Sequence, residues 1–390
     1  MTYESGINTK LIHAGQRPSP DNGALAQPIY QTSSFSVDGL LRSGMKRGKY
    51  VYSRVSNPTL TSLELKMATL EGGDAAVSFG SGMGAISAVL VTLLESGDHM
   101  IADRVLYGST YELLHNVAAR LGINVSFVDT TNSKEVANAI QENTKLVYFE
   151  TPANPTLKLV DIRRVAAIAS ERGAKTVVDN TFLTPLYQKP LELGADIVVH
   201  SATKYLNGHG DALGGIVVSS YEDATAIRRG ALRDIGAALS PFNAFLILRG
   251  IHTLGVRMER HSKNAAELAA FLQSQRAIER VRYPGIDPGM QGNSNLAKQM
   301  SGFGGMIAFE VRGGSEAAIT FLNNLKLCTV AVSLGDTATI AEHPGLMTHS
   351  VMPRAERDAV GITDGLIRIS VGLEDIADIE KDIAQALDTL

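Results

Sequence analysis

Short apolar runs alternate with amphipathic stretches along the chain from about residue 60. The amphipathic stretches have the spacing of apolar residues that a helix requires, and the short runs are typical of buried strands. This alternation predicts an α/β fold with a mainly parallel, doubly wound sheet. Ligand sites in such sheets lie at the carboxyl ends of the strands. The predicted strands are residues 75–79, 99–102, 125–128, 146–149, 176–179, 197–200 and 215–219.

The two ends of the chain have different patterns. Residues 1–60 alternate polar, Gly/Pro and short apolar pieces, so we predict an N-terminal arm that contributes to a neighbouring subunit. The central domain is predicted over residues 61–255 and a smaller C-terminal α+β domain over residues 256–390. A single long helix over residues 242–261 should lead into that domain. Its predicted strands are residues 305–311 and 366–371, and its final helix is residues 376–387.

Composition excludes several classes of partner. The chain has 390 residues, a net charge of −4 and no basic block, so no nucleic-acid partner is expected. The single cysteine, Cys328, excludes an internal disulfide, and the nine histidines form no HExxH frame, so no metal site is predicted. No apolar run reaches the length of a membrane span and no signal-peptide core is present. We therefore expect a cytoplasmic protein that acts on a small molecule.

Two polar residues at strand ends carry the candidate chemistry. Lys204 follows an apolar strand, where burial would lower the pKa of its amine enough for it to act as nucleophile and base. Ser201 and Thr203 place hydroxyl donors suited to a phosphate close to it. Asp179 ends another apolar strand. A lysine for covalent attachment and an aspartate for a pyridinium nitrogen are the pair that pyridoxal 5'-phosphate (PLP) requires.

A competing motif precedes these residues. Residues 80–85 satisfy G-x-G-x-x-A, and Asp103 follows near the end of the next predicted strand, which fits the fingerprint of an NAD-dependent oxidoreductase. Glycines that open a helix bind phosphate in either class of enzyme, so they do not discriminate. Asp179 and Lys204 do discriminate, because nicotinamide chemistry uses neither. A cofactor-free scaffold on the same fold is a further alternative, and the yellow colour of a bound cofactor would exclude it.

The residues around Lys204 resemble the Cys/Met-metabolism family of PLP enzymes, and the resemblance covers nearly the whole chain. The family includes methionine and cystathionine γ-lyases, cystathionine γ-synthase and homoserine-ester sulfhydrylases. It implies the aminotransferase-like fold type I and a homotetramer, built as a dimer of dimers, whose subunits share their active sites. It also implies that Tyr52 and Arg54 reach the cofactor phosphate of a neighbouring subunit. Arg is suited to this task by its bidentate fork.

The same resemblance implies roles for further residues. Lys204 would carry PLP and take the Cα proton, Asp179 would hold the ring nitrogen, and Tyr107 would stack on the ring and serve as an acid. Arg368, which without this context would be read as half of a structural ion pair, would bind the substrate carboxylate with Ser333. The remaining residues that would bind the cofactor are Gly82, Met83, Asn154, Ser201 and Thr203.

Two positions bear on the substrate. Cystathionine enzymes of the family carry a glutamate where this chain has Val332, which would leave the distal ammonium of cystathionine without a partner. Ser109 stands where many methionine γ-lyases have cysteine. Residues 333–336, 342–344 and 347–350 are most similar to the methionine γ-lyases. The expected reaction is γ-elimination from L-methionine, and the alternatives are an O-acetyl- or O-succinylhomoserine sulfhydrylase and a cystathionine γ-lyase.

Overall fold

The N-terminal region is described only in part. The computed structural model of the chain describes residues 5–19, 22–37, 50–287 and 294–390, so the predicted arm over residues 1–60 lies partly outside the described residues. It contains the helix Ile7–His13, which the sequence analysis did not predict. The fully buried Lys66 donates hydrogen bonds to the carbonyls of Leu11 and Ile12, at 2.6 and 3.0 Å, and holds the end of this helix against the protein.

The larger sheet confirms the predicted α/β fold. In the described residues it has seven strands in the order β1-β7-β6-β5-β4-β2-β3. β2 to β6 pair in parallel, whereas β7 runs antiparallel to both β1 and β6. The strands are β1 Ala75–Phe79, β2 His99–Asp103, β3 Asn124–Val128, β4 Thr144–Glu150, β5 Lys175–Asp179, β6 Ile197–Ser201 and β7 Gly215–Ser219.

Helices cover both faces of this sheet because its strands are apolar on both sides. Successive residues of a strand point to opposite faces. Val177 of β5 accordingly packs in the core that contains the helix Gly82–Leu93, while its neighbour Val178 packs against the helix Ile162–Ser170. Because helices cover both faces, the carboxyl ends of the parallel strands are where polar residues can line a cavity.

A second, smaller sheet lies in the C-terminal part of the chain, with the order β10-β11-β12-β9-β8 among the described residues. Sequence analysis predicted β9, β12 and the final helix Ile376–Leu387. It missed β8, in which three of the five residues are charged, and it missed β10 and β11, which have two and three residues and are too short to show a period. The strands are β8 Ile278–Arg282, β9 Met306–Val311, β10 Thr329–Val330, β11 Ile340–Glu342 and β12 Leu366–Ser370.

The prediction of one long helix over residues 242–261 was wrong. The structure has two helices, Pro241–His252 and Leu254–Gln273, separated at Thr253. The carbonyl of Gly250 accepts hydrogen bonds from the backbone N–H and the hydroxyl of Thr253 and from Arg257, so the helical ladder is interrupted there. Apolar spacing continues through the break, which is why the sequence pattern did not reveal it.

Asn57 caps the helix Pro58–Glu71, and its side chain accepts a hydrogen bond from the backbone of Thr59 at 2.9 Å. The predicted domain boundaries stay predictions.

None of the helices in the described residues combines the length and apolarity needed to cross a membrane. The other helices are Gly108–Glu112, Leu113–Ala118, Ser133–Ala139, Thr184–Tyr187, Pro190–Leu193, Tyr221–Ile227, Arg228–Ile235, Pro284–Ile286, Ser294–Gln299, Gly314–Asn323 and Arg354–Val360.

Candidate active site

A cavity of about 240 Å³ lies at the carboxyl ends of β4, β5 and β6. Its walls come from the loops after these strands and from two segments of the C-terminal part of the chain, around Ser333 and around Arg368. Most of the residues predicted from the sequence line it. Those residues are Gly82, Met83, Tyr107, Asn154, Asp179, Ser201, Thr203, Lys204, Val332, Ser333 and Arg368.

Lys204 lies in the turn that follows β6, and its amine is in the cavity. Its Nζ atom donates a hydrogen bond to Oγ of Ser333 at 2.6 Å. Burial, reinforced by the positive charge of Arg368, lowers the pKa of Lys204 to about 8, and Glu342 opposes the shift. A sizeable fraction of the amine is therefore neutral near pH 8, as a nucleophile or base requires.

Two carboxylates end neighbouring strands beside this lysine. Glu150 of β4 and Asp179 of β5 are register partners and both line the cavity. Burial, and then the charge of Asp179, raise the pKa of Glu150 well above its ordinary value. Burial also raises the pKa of Asp179, which is half-buried at the cavity wall. In the described chain no lysine or arginine forms an ion pair with Asp179. The protonated ring nitrogen of a bound PLP would supply the positive charge that Asp179 lacks.

One end of the cavity is built to receive an anion. Ser81 caps the helix Gly82–Leu93, and its hydroxyl accepts from the N–H of Gly84 at 3.0 Å. The N–H groups of Gly82 and Met83 open this helix, where no carbonyl partner exists within the helix. A Cβ atom on Gly82 would lie 2.9 Å from Cβ of Ser201, so only glycine lets the helix approach β6 so closely. These N–H groups and the nearby hydroxyls fit a phosphate.

Tyr107 immediately precedes the helix Gly108–Glu112 and lines the cavity with 37% of its surface exposed. Its N–H donates to Oε1 of Glu150 at 2.8 Å. Ser109 follows in the same helix, is half-buried and does not line the cavity. The structure therefore separates these two predicted residues.

Arg368 lies on β12 and is 2% exposed. Nη1 is 3.1 Å from Oε1 of Glu342 and donates to Oδ1 of Asn154 at 2.8 Å. Nη2 donates to the carbonyl of Ser333 at 2.8 Å. Nε is a buried donor with no partner among the described residues. Nε and the second N–H of Nη2 together form a side-on fork that suits a carboxylate.

Tyr52 and Arg54 do not line the cavity. Both are exposed, and the guanidinium of Arg54 lies over the ring of Tyr52 at 5.5 Å from its centroid. Arg54 also donates to the carbonyl of Arg233. Within one chain, the structure thus keeps these two residues away from Lys204.

The dinucleotide-like motif is used differently from the NAD fingerprint. Oδ1 of Asp103 accepts from the N–H of Val105 at 2.6 Å, and Oδ2 accepts from the N–H and the hydroxyl of Thr130. Asp103 is buried, and burial raises the pKa of its carboxyl to about 6. The carboxylate of Asp103 therefore accepts hydrogen bonds from Val105 and Thr130, and Asp103 does not line the cavity.

Glu150, Thr348 and Glu342 are further residues of the site for which the sequence predicted no role. Glu150 was detectable, because it ends a strand next to Asp179. Thr348 lines the cavity and Glu342 lies behind Arg368, but both come from a segment far from Lys204 in the sequence. In the described residues no group of three or more His, Cys, Asp or Glu side chains is arranged to hold a metal ion.

Fold and site together are those of the PLP enzymes of fold type I, in which a lysine and an aspartate face one cavity at the carboxyl edge of the sheet. The profile of the Cys/Met metabolism PLP-dependent enzyme family matches residues 8–388, and the chain belongs to this family.

Individual relatives agree over their full length. The chain is 51% identical to the L-methionine gamma-lyase of Fusobacterium nucleatum subsp. polymorphum, covering 100% of both chains. It is 46% identical to the cystathionine gamma-lyase of Bacillus subtilis, covering 98% of both. The crystal structure of cystathionine gamma-lyase from Lactobacillus plantarum complexed with L-serine matches with a TM-score of 0.93 at 39% identity, covering 98% of this chain and 99% of that one.

Proposed function

We propose that the protein is a PLP-dependent carbon-sulfur lyase that converts L-methionine to methanethiol, 2-oxobutanoate and ammonia. The full-length similarity to an L-methionine gamma-lyase supports γ-elimination on a sulfur amino acid. The observation that carries the choice of substrate is Val332, a cavity-lining residue that is 56% exposed and directly precedes Ser333. An apolar side chain there suits the thioether methyl of methionine and leaves a charged distal group without a partner.

The cavity residues fit PLP. Lys204 would carry it covalently, Asp179 would pair with the ring nitrogen, and the N–H groups of Gly82 and Met83 would bind the phosphate with Ser201 and Thr203. The hydroxyl of Thr203 already exchanges hydrogen bonds with the backbone of Gly214, so Ser201 has the more available hydroxyl. When bound, PLP supplies the electron sink for removal of protons next to the substrate amine.

Arg368 would orient the substrate through its carboxylate. Three of its five N–H groups are used by Asn154, Glu342 and the Ser333 carbonyl. The two that remain form the side-on fork described above. A carboxylate held there would bring the substrate's Cα to the same cavity as Nζ of Lys204, which already contacts Ser333.

Lys204 and Tyr107 would handle the protons. The amine of Lys204 would take the Cα proton, since its lowered pKa of about 8 leaves part of it unprotonated near neutral pH. After releasing that proton, the same amine would take a second proton from Cβ as the sulfur departs. Tyr107, which also lines the cavity, would give its hydroxyl proton to the leaving thiolate.

A shared site in a homotetramer is part of the proposal. Tyr52 and Arg54 lie outside the cavity of their own chain, which is what a role in a neighbouring subunit's site requires. Large apolar side chains are also exposed at the cavity. Leu213 lines it and is 58% exposed, and Phe242, which is 53% exposed, precedes Asn243, whose side chain donates to the carbonyl of Leu213. A partner subunit would cover such surface. The cytoplasmic location remains a prediction from the sequence.

A substrate panel tests the function. Purified protein is incubated with L-methionine, L-cystathionine or O-acetyl-L-homoserine, with and without added sulfide, and 2-oxobutanoate and thiol are quantified. We expect methionine to yield equal amounts of 2-oxobutanoate and methanethiol and to have the highest kcat/KM. Lys204→Ala should abolish both the reaction and the visible absorption of bound PLP. A requirement for added sulfide would instead identify a sulfhydrylase.

Cystathionine is a second candidate substrate because of one observation. A cavity of about 500 Å³ adjoins the first and shares Val332 and Ser333 with it. Asp211 and Asp336 line this second cavity, and their carboxylates would offer the distal ammonium of cystathionine a partner that Val332 does not. A higher kcat/KM for cystathionine than for methionine in the same panel would decide for this alternative.

A further inference from the structure

The backbone on both sides of Tyr107 is held by a segment that is distant in sequence. Nε2 of His349 lies 3.0 Å from the carbonyl of Leu106, the residue before Tyr107. On the other side, a Cβ atom on Gly108 would lie 1.9 Å from the carbonyl oxygen of Thr348, so the backbone of Gly108 packs directly on this carbonyl. Thr348 and His349 thus contact the backbone of the two residues that flank Tyr107.

The hydrogen bond from His349 has a defined direction. A carbonyl only accepts, so Nε2 must carry the proton. His349 is fully buried, and burial, reinforced by the charge of Arg368, lowers the pKa of its ring to about 4. The ring is therefore neutral at neutral pH, with its single proton on Nε2 and an unprotonated Nδ1.

The other ring nitrogen of His349, Nδ1, faces the residues around Arg368. Nδ1 of His349 is 3.0 Å from the hydroxyl of Thr348, and that hydroxyl is 2.8 Å from Oε1 of Glu342. Glu342 in turn contacts Nη1 of Arg368 at 3.1 Å. The hydroxyl of Thr348 has one proton and donates it to Glu342, so it faces the unprotonated Nδ1 of His349 as a close neighbour and not as a second hydrogen-bond donor.

The side chain of Tyr107 depends on this backbone support. It is 37% exposed, and its position follows from the backbone and two side-chain torsions. An acid must lie within hydrogen-bond reach of the atom it protonates, and a displacement of about 1 Å costs roughly 10²-fold in rate. A contact that fixes the position of the Leu106 carbonyl therefore also fixes how close the Tyr107 hydroxyl comes to the atom that it protonates.

We propose that His349 is a positioning residue for the reaction: its Nε2–H holds the Leu106 carbonyl and thereby places the hydroxyl of Tyr107 at the leaving group. This inference rests on the role proposed for Tyr107. It assigns a function to the residue pair 348–349, which lies outside every role predicted from the sequence.

Two amide substitutions separate the hydrogen bond from the bulk of the ring. In His349→Gln the amide N–H reaches the position of Nε2, whereas in His349→Asn it reaches only that of Nδ1. We expect kcat for L-methionine to stay within about threefold of wild type in the Gln variant and to fall roughly 10- to 100-fold in the Asn variant, with KM changed less than kcat. The visible circular dichroism of the bound cofactor should change in the Asn variant alone.

A matched control is available in the same segment. His343 is also buried, and its Nε2 lies 3.0 Å from the carbonyl of Asp364, a residue that is not adjacent to Tyr107 or to any other residue of the cavity wall in the sequence. His343→Asn removes the same kind of contact away from Tyr107, so kcat should remain within about twofold of wild type. Equal losses in the two Asn variants would indicate a general effect on folding and would overturn the proposal.

A double-mutant cycle ties the effect to Tyr107. Tyr107→Phe should lower kcat by about 10²-fold or more if the hydroxyl is the acid. His349→Asn should then lower kcat by no more than about twofold further, because the group that it positions is already absent. Additive losses, or Gln and Asn variants with the same kcat, overturn the inference. If Tyr107→Phe leaves kcat unchanged, the role of Tyr107 itself is overturned. If the wild type forms no product, the proposed function is overturned.

Discussion

Nζ of Lys204 lies 2.6 Å from Oγ of Ser333, although the two residues are 129 positions apart in the chain. Ser333 has a φ of 96°, a left-handed backbone conformation that a non-glycine residue adopts only when its surroundings enforce it. Its carbonyl is held by Arg368 at 2.8 Å. One residue therefore connects the candidate base to the candidate carboxylate site.

Removal of the Ser333 hydroxyl should weaken catalysis without loss of the fold. Ser333→Ala keeps the Cβ atom and so leaves the backbone strain as it is, but it removes the acceptor for the Lys204 amine. We expect kcat/KM for L-methionine to fall roughly tenfold, since a hydrogen bond to a charged group contributes about 1.5–3 kcal/mol. Ser350→Ala is the control and should leave kcat/KM unchanged, because Ser350 is exposed and its hydroxyl donates to the carbonyl of Met347. Equal values for all three proteins would contradict the prediction.

Mixed oligomers test whether the site is shared. Arg54→Ala and Lys204→Ala should each be inactive, and refolding of an equal mixture should restore roughly a quarter of wild-type activity, because half of the dimers are mixed and each contains one intact site. Asp179→Ala mixed with Lys204→Ala is the control. Both residues line the cavity of one chain, so this mixture should regain nothing. If the first mixture also fails despite demonstrated subunit exchange, each chain supplies its own Arg54.

Val332 should govern discrimination between methionine and cystathionine. Val332→Glu places a carboxylate at the cavity wall, so we expect the ratio of kcat/KM for cystathionine to that for methionine to rise about tenfold or more. Val330→Glu is the control, because Val330 is 45% exposed nearby and does not line the cavity. A wild-type enzyme that already prefers cystathionine, or a ratio that Val332→Glu does not move, would remove the basis for methionine as the substrate.

Lys66 should make stability depend on pH. Burial lowers the pKa of its amine to about 8, whereas a lysine in an unfolded chain titrates near 10.4. Between these values the unfolded chain binds more protons than the native protein, so this group's contribution to stability rises with pH. From pH 8 to pH 10 we expect the Tm of wild type to rise relative to that of Lys66→Met by about 2 °C or more. Scanning calorimetry of both proteins, with the exposed Lys381→Met as control, measures the difference, and parallel Tm curves for wild type and Lys66→Met would refute it.

The local sequence predicted those parts of the molecule whose physics is local. The seven strands of the large sheet were visible because each is a short apolar run between helical patterns. Asp179 and Lys204 were recognisable because each follows such a run, and parallel strands bring their carboxyl ends to one edge. The break at Thr253 escaped prediction because apolar spacing continues through it. Strands β10 and β11 escaped prediction because they are too short to show a period, and β8 because three of its five residues are charged.

What the sequence by itself determined is the class of fold and the chemistry of the residues at the sheet edge, because strand burial and the nature of Lys204 and Asp179 follow from adjacent residues. Only the tertiary structure decided which distant groups surround that lysine. Glu342 and Arg368 meet as partners on the neighbouring strands β11 and β12 of the smaller sheet. The contact of Lys204 with Ser333 and that of His349 with the carbonyl before Tyr107 join segments from different sheets. Such contacts depend on how the two sheets pack together, and no pattern within a single segment specifies that packing.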